Sequence, residues 1–155
     1  MRFFLYFCIM RTIKDYMDFV KNVRDNIPQQ TEGIINRNKA EIIDLNRQSQ
    51  LYAKGEDSLG LDLKPYSFFT VQIKQLLGQP YDRTTLNYSG AFYDGFYLTV
   101  DKDNLILTFN SNDRKTPDLI GKYGKNIFGL NYDNQQKLNY EIIKPELDKY
   151  IRQYL

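Results

Sequence analysis

The chain has 155 residues, a length typical of one domain, and its 21 Lys and Arg residues nearly balance its 19 Asp and Glu residues. A net charge of +2 is too small to indicate a nucleic acid or an anionic membrane as partner. With no histidine and one cysteine, Cys8, the chain excludes an internal disulfide, a zinc site of Cys and His ligands, and catalysis by Ser–His–Asp or Cys–His groups. No other arrangement of acid–base groups is visible, so we expect one non-catalytic domain over residues 1–155.

An apolar run, Phe3 to Met10, opens the chain after a single arginine. It is far shorter than the ~20 residues that span a bilayer, and no small-residue cleavage site follows it. Three interpretations stay open. The run packs as the edge of a strand or helix, it is an upstream extension of a protein that starts at Met10, or residues 1–10 form an exposed arm that docks on a neighbouring subunit.

The first half of the chain carries three helical patterns. Apolar residues recur in steps of three and four from Ile13 to Ile27, which predicts an amphipathic helix that begins after Thr12 and ends at Pro28. A second pattern runs from Ile34 to Tyr52, with Gly55 as its stop. A short helix over 66–77 follows from the spacing of Phe69, Ile73 and Leu76.

The clearest pattern is a β-hairpin over 96–109. Phe96, Leu98 and Val100 alternate with Tyr97 and Thr99, and Leu105, Leu107 and Phe109 alternate with Ile106 and Thr108. The four residues 101–104 form the turn between the two runs. We expect this set of apolar residues to face the core. The opposite face then carries Tyr97, Thr99, Ile106 and Thr108, which is apolar enough to meet a helix or a partner.

The C-terminal third is predicted to be helical. Thr116-Pro117-Asp118 is typical of a helix start. Asp133 with Gln136 resembles a capping box that begins the last helix, and Pro145 should kink or split that helix. The predicted fold is therefore α+β: an antiparallel sheet built around the 96–109 hairpin packs against N-terminal and C-terminal helices.

The stretch from Tyr88 to Tyr97 is rich in aromatic residues, but no lysine or arginine occurs between Leu86 and Val100. Binding to single strands needs basic side chains among the stacking rings, so this run argues against direct DNA contact. We predict that Phe92 and Phe96 anchor the core. We predict that Tyr93 and Tyr97 contact another subunit.

Several short motifs follow one another in the same order as in a known family. Thr85-Leu86 and Ser89-Gly90-Ala91-Phe92 lead into the hairpin, and a Phe128-Gly129 step precedes the last helix. In this order the chain resembles bacteriophage tail-completion or head–tail joining proteins, and Leu51 to Ser67 is similar to a stretch found in such proteins from phages of Bacteroides-like hosts. It departs from the family at Asp94-Gly95, where a serine is usual.

The resemblance implies a non-enzymatic structural protein of the virion, assembled in the host bacterial cytoplasm, that forms a ring at the phage neck or tail. Its partners would be copies of itself and neighbouring portal, neck or tail proteins. No cofactor, small-molecule substrate or membrane would be involved. An alternative is a small phage- or plasmid-encoded module that binds nucleic acid or regulates another protein. The predicted subunit-contact residues are Phe3, Phe4, Tyr6, Phe7, Tyr93, Tyr97, Thr99 and Ile106.

Overall fold

The structure, a computed structural model, describes residues 12–101 and 103–153. Its α-helices are α1 (Ile13–Arg37), α2 (Lys39–Asp44), α3 (Phe68–Leu76), α4 (Ala91–Asp94), α5 (Thr116–Tyr123), α6 (Tyr132–Lys137) and α7 (Lys144–Arg152). Two strands, β1 (Phe96–Asp101) and β2 (Ile106–Ser111), form an antiparallel hairpin between α4 and α5. Three further helical segments are not α-helical: Leu45–Tyr52 and Leu138–Ile143 are π-helical, and Lys125–Ile127 is a 3₁₀ turn.

Helix α1 begins as the sequence predicts but does not end at Pro28. The Thr12 hydroxyl accepts a hydrogen bond from the backbone N–H of Asp15, and the Asp15 carboxylate accepts one from the backbone N–H of Thr12. The predicted end at Pro28 is wrong, because the helix continues to Arg37. A proline inside a helix costs roughly 3 kcal/mol. The turns that follow it bury Ile34 and Ile35 in the core, which offsets that cost.

The hairpin is confirmed, and its register pairs Leu98 with Phe109 and Val100 with Leu107 on the inner face. The placement of Leu105 in the second strand is wrong. Leu105 closes the turn in the left-handed region, with φ of 53°, and the strand starts one residue later. Hairpin loops of three to five residues commonly end in such a left-handed residue, because it restores the twist of the paired strands.

Two apolar clusters make the core, and the hairpin contributes to both. One lies against α1, α2 and the C-terminal helices: Ile34, Ile35, Ile42, Leu98, Phe109, Leu130, Leu138 and Ile142. The other lies around α4: Leu51, Leu63, Leu86, Phe92, Tyr93, Phe96 and Ile127. Phe128 packs against both clusters, which joins them. The α+β fold is therefore confirmed, with the sheet packed against helices from both ends of the described chain.

A buried polar network holds the 45–52 segment to the start of α6. The Gln50 side-chain oxygen accepts a hydrogen bond from the backbone N–H of Asn131 at 2.8 Å, and its nitrogen donates to the Gly129 carbonyl at 3.2 Å. The N-cap of α6 is Asn131, which accepts from the backbone N–H of Asn134. The prediction of Asp133 as the cap is therefore wrong by two residues. The helix changes from π to α pitch at Lys144, beside Pro145.

Candidate functional site

A cleft of about 320 Å³ lies between α3, the stretch 86–92 and α5. Its walls combine apolar and aromatic side chains with lysines and a few polar groups. The lining residues include Tyr66, Ile73, Lys74, Leu86, Tyr88, Ser89, Gly90, Phe92, Asp113, Lys115, Leu119, Lys122 and Tyr123. A concave volume of this size, apolar but with a few convergent polar groups, is the usual form of a ligand site.

Lys74 is the least expected member of the cleft, because its side chain is only 2 % exposed. Its ammonium donates to the Asn87 carbonyl at 2.7 Å and to the Gln79 side-chain oxygen at 3.1 Å, and it lies 5.0 Å from the centre of the Tyr66 ring. Among residues 12–101 and 103–153 it forms no ion pair with a carboxylate. Buried charges are normally paired, so this lysine requires an explanation.

Helix α3 buries Lys74 and leaves its apolar residues exposed, although one of them, Ile73, also lines the cleft. Ser67 caps the helix by accepting a hydrogen bond from the backbone N–H of Thr70 at 3.4 Å, close to the predicted start. The residues whose spacing predicts the helix mark its solvent face, and Leu76 is 87 % exposed. We call this face the α3 face: Phe68, Phe69, Ile73, Leu76 and Leu77. Contiguous exposed apolar residues of this kind typically mark an interaction surface.

The wall of the cleft opposite α5 is fixed by Tyr66. Its hydroxyl accepts hydrogen bonds from the backbone N–H groups of Thr85, at 2.9 Å, and Leu86, at 3.2 Å. Leu86 is held in the left-handed region, with φ of 55°, a conformation that costs roughly 1–2 kcal/mol for a residue with a Cβ. The Tyr93 hydroxyl donates to the Thr85 carbonyl, and burial raises the pKa of Tyr93 far above its ordinary value. This wall is thus preformed.

The sequence motif 85–92 is brought to the cleft, but the predicted contact residues are not brought together. Leu86, Ser89, Gly90 and Phe92 line the cleft, and Thr85 is buried behind it. Phe92 and Phe96 are buried as predicted, with ring centroids 5.1 Å apart. The other two motif residues do not line the cleft: Phe128 packs against the core, and Gly129 lies next to Ser58.

The predicted contact role of Tyr93 is wrong for the folded chain, because its side chain is 3 % exposed and packs in the core. One-turn helix α4 places both Phe92 and Tyr93 inward, whereas an alternating strand would have separated them. Tyr97, Thr99 and Ile106 lie on the outer face of the hairpin, with Ile106 exposed. Phe3, Phe4, Tyr6 and Phe7 lie outside the described residues.

Helix α1 carries a second exposed apolar surface at its N-terminal half. We call it the α1 stripe: Ile13 (80 % exposed), Tyr16 (57 %), Met17 (63 %) and Val20 (44 %). These positions are spaced by three or four residues, so they lie on one side of the helix. The amphipathic pattern predicts the helix. It does not predict that the described part of the chain leaves this apolar side exposed, because that depends on how distant segments pack against the helix.

No family model, curated protein or solved structure matches this chain. Within residues 12–101 and 103–153, no helix combines the length and apolar character that crossing a bilayer requires. The same described residues contain no group of three or more Cys, Asp or Glu side chains placed to hold a metal ion.

Proposed function

We propose that the protein is a non-enzymatic structural subunit that assembles with copies of itself, and that this assembly is a ring at the neck or tail of a phage virion. The observation that carries the proposal is the α1 stripe. A helix that begins with a well-formed cap yet exposes its apolar side has an ordered surface with no partner in the described chain.

The spacing of the α1 stripe suits another helix as partner. Ile13 and Val20 of the stripe are seven residues apart, and Ile27, which is half-buried and lies outside the stripe, continues this interval. β-branched residues at this interval are typical of the seam of a two-helix coiled coil. Fully burying one large apolar side chain stabilises by about 1.5–3 kcal/mol. A second copy that covers the stripe would therefore contribute several kcal/mol to association.

A ring requires more than one contact surface on each subunit. In a closed ring, one face of a subunit meets a different face of the next, so two separate surfaces are needed. The α1 stripe and the α3 face belong to different helices and share no residue. The outer face of the hairpin, with the exposed Ile106, is a third surface that could contribute to an interface. Stable interfaces bury roughly 800 Å² on each partner.

Two parts of the proposal rest on the order of the motifs at 85–92 and 128–129. They are the location in a virion and the portal, neck or tail proteins as further partners. One feature of the fold agrees with this grouping: four of the six motif residues before the hairpin line a single cleft, beside the α3 face. We therefore expect the surface formed by the α3 face and the rim of the cleft to contact a neighbouring protein.

The test is the mass of the purified full chain, measured by native mass spectrometry and by sedimentation over a range of concentrations. We expect a defined oligomer, seen as rings by electron microscopy, and Met17→Glu should weaken it by about tenfold or more because a charge would enter the apolar contact. Asn22→Glu is the matched control, since this exposed residue lies on the opposite side of α1 from the stripe and makes the same change of charge. A chain that stays monomeric at high concentration would refute self-assembly, and a salt-sensitive shift of DNA on a gel would favour the nucleic-acid alternative.

A further inference from the structure

The cleft over Lys74 contains a buried cation that no anion in the described chain neutralises. Its two hydrogen-bond acceptors, the Asn87 carbonyl and the Gln79 amide oxygen, are neutral. These two bonds use two of the three N–H donors of the ammonium, which also lies 5.0 Å from the centre of the Tyr66 ring. A buried charge normally has an opposite charge as partner, and the described chain places no carboxylate within ion-pairing distance of Lys74.

The surroundings of Lys74 define the rest of the ligand. Leu86, Phe92, Leu119 and Tyr123 supply apolar and aromatic surface to the same cleft. A ligand that pairs with the ammonium must therefore also carry an apolar or aromatic body. The volume of about 320 Å³ is at the small end of the range for ligand sites, which limits the ligand to a small molecule.

The charges at the cleft favour one negative charge over several. Lys115 and Lys122 line it and draw anions in, but Asp113 lines it too and repels a second negative group. A phosphate group carries close to two negative charges near neutral pH, so Asp113 opposes it more than it opposes a single carboxylate. A carboxylate fits this balance better than a phosphate does.

The cleft is also rigid before any ligand arrives. Tyr66 is tied to Thr85 and Leu86 by the two hydrogen bonds given above, and the Gln79 amide nitrogen donates to the Tyr88 carbonyl at 2.8 Å. Side chains that are already ordered lose little conformational freedom on binding, so even a small ligand can bind measurably.

We propose that the cleft between α3, the 86–92 stretch and α5 binds a small organic carboxylate with an apolar or aromatic body, and that the Lys74 ammonium pairs with its carboxylate. This site is a function beyond assembly and does not depend on it. Ile73 belongs to both the cleft and the α3 face, whereas the other residues of the α3 face and the α1 stripe do not line the cleft.

The experiment uses 3-phenylpropionate, its neutral analogue 3-phenylpropionamide, and inorganic phosphate as probes of the full chain. Saturation-transfer NMR detects the bound probe whatever the size of the assembly. We expect the carboxylate to bind about tenfold more tightly than the amide, because the ammonium gains a charge-assisted hydrogen bond only with the former. Phosphate alone should not compete. Equal binding of acid and amide, or binding of phosphate in place of the carboxylate, would overturn the proposal.

Variants locate the site. Lys74→Met keeps the length of the side chain without its charge, so it should remove the preference for acid over amide. Because this variant loses two buried hydrogen bonds and could unfold, Tyr88→Ala is a second test on an exposed lining residue, with an expected affinity loss of about threefold or more. Tyr132→Ala, at an exposed tyrosine outside the cleft, is the matched control. Binding that is unchanged in Tyr88→Ala, or weakened equally in the control, would refute the assignment.

Discussion

Removing the Tyr66 hydroxyl is the sharpest test of how the cleft wall is built. In Tyr66→Phe the ring stays, but the backbone N–H groups of Thr85 and Leu86 lose their acceptor. Thr85 is fully buried and Leu86 is 8 % exposed, so water has little access to either group. We therefore expect a loss of stability far larger than a surface Tyr→Phe change produces.

The magnitude follows from the two stranded donors. A buried donor left without a partner costs about 1–3 kcal/mol, so two give about 2–6 kcal/mol. The Leu86 backbone, with φ of 55°, is held in the left-handed region by one of these bonds, so its relaxation in the variant would recover part of this cost. For a domain of this size a loss of about 3 kcal/mol lowers the melting temperature by roughly 6–12 °C.

The assay is thermal and urea unfolding of the purified variant beside Tyr132→Phe, a control at a tyrosine that is 73 % exposed. The control should melt within about 1 °C of the parent chain, because surface changes are usually within about 0.5 kcal/mol. If Tyr66→Phe also loses less than about 1 kcal/mol, the hydroxyl is not the acceptor on which this wall depends, and the account of a preformed cleft fails.

Two further predictions concern the hairpin. Gly95→Ala should destabilise the chain by about 1–3 kcal/mol, measured by urea unfolding, because the new Cβ would lie 2.7 Å from the Ser111 hydroxyl although the backbone φ is ordinary; an unchanged midpoint would contradict the close approach. The Asn104 side chain, and then the backbone N–H groups of Asp103 and Asn104, hold the pKa of Asp101 below its usual range. The stabilisation that the ionised Asp101 carboxylate contributes to the folded state is present above its unfolded-state pKa and is lost as pH falls through its folded-state pKa. Asp101→Asn should therefore melt at a lower temperature than the parent chain at pH 7, and this difference in melting temperature should shrink at acid pH. A difference that does not change with pH would refute this linkage.

The hairpin was predictable because its signal is local. Alternation at Leu98, Val100 and Leu107 determines which side of the sheet is buried, and nothing distant is needed to decide it. The extent of α1 was not predictable in the same way. Pro28 is a valid local stop signal, and it is overridden because the turns after it bury Ile34 and Ile35 against residues far along the chain. Local propensity is a weak guide wherever tertiary burial opposes it.

The cleft was only half predictable. The motif 85–92 was singled out from its residues and does line the site, yet nothing in the sequence distinguishes Lys74 from the other lysines. Its burial depends on the Asn87 carbonyl, 13 residues away, and on a cleft wall held by Tyr66. The error at Tyr93 has a similar origin. A single helical turn before β1 rotates this residue into the core, and Gly90, with φ of 88°, makes that turn possible.

The orientation of α3 links the two proposals through one free-energy balance. Rotating this helix by about half a turn would bury Phe69 and Leu76 and return Lys74 to water, as the hydrophobic effect alone would favour. The observed orientation does the opposite, and within the described chain its compensation is two hydrogen bonds from Lys74 to neutral acceptors and the contact of its ammonium with the Tyr66 ring. Such bonds contribute about 1.5–3 kcal/mol each at most. They do not readily offset both a buried charge and an exposed apolar face. A bound carboxylate would neutralise the charge and a neighbouring subunit would cover the face, so the two proposed contacts stabilise the same orientation from opposite sides of one helix.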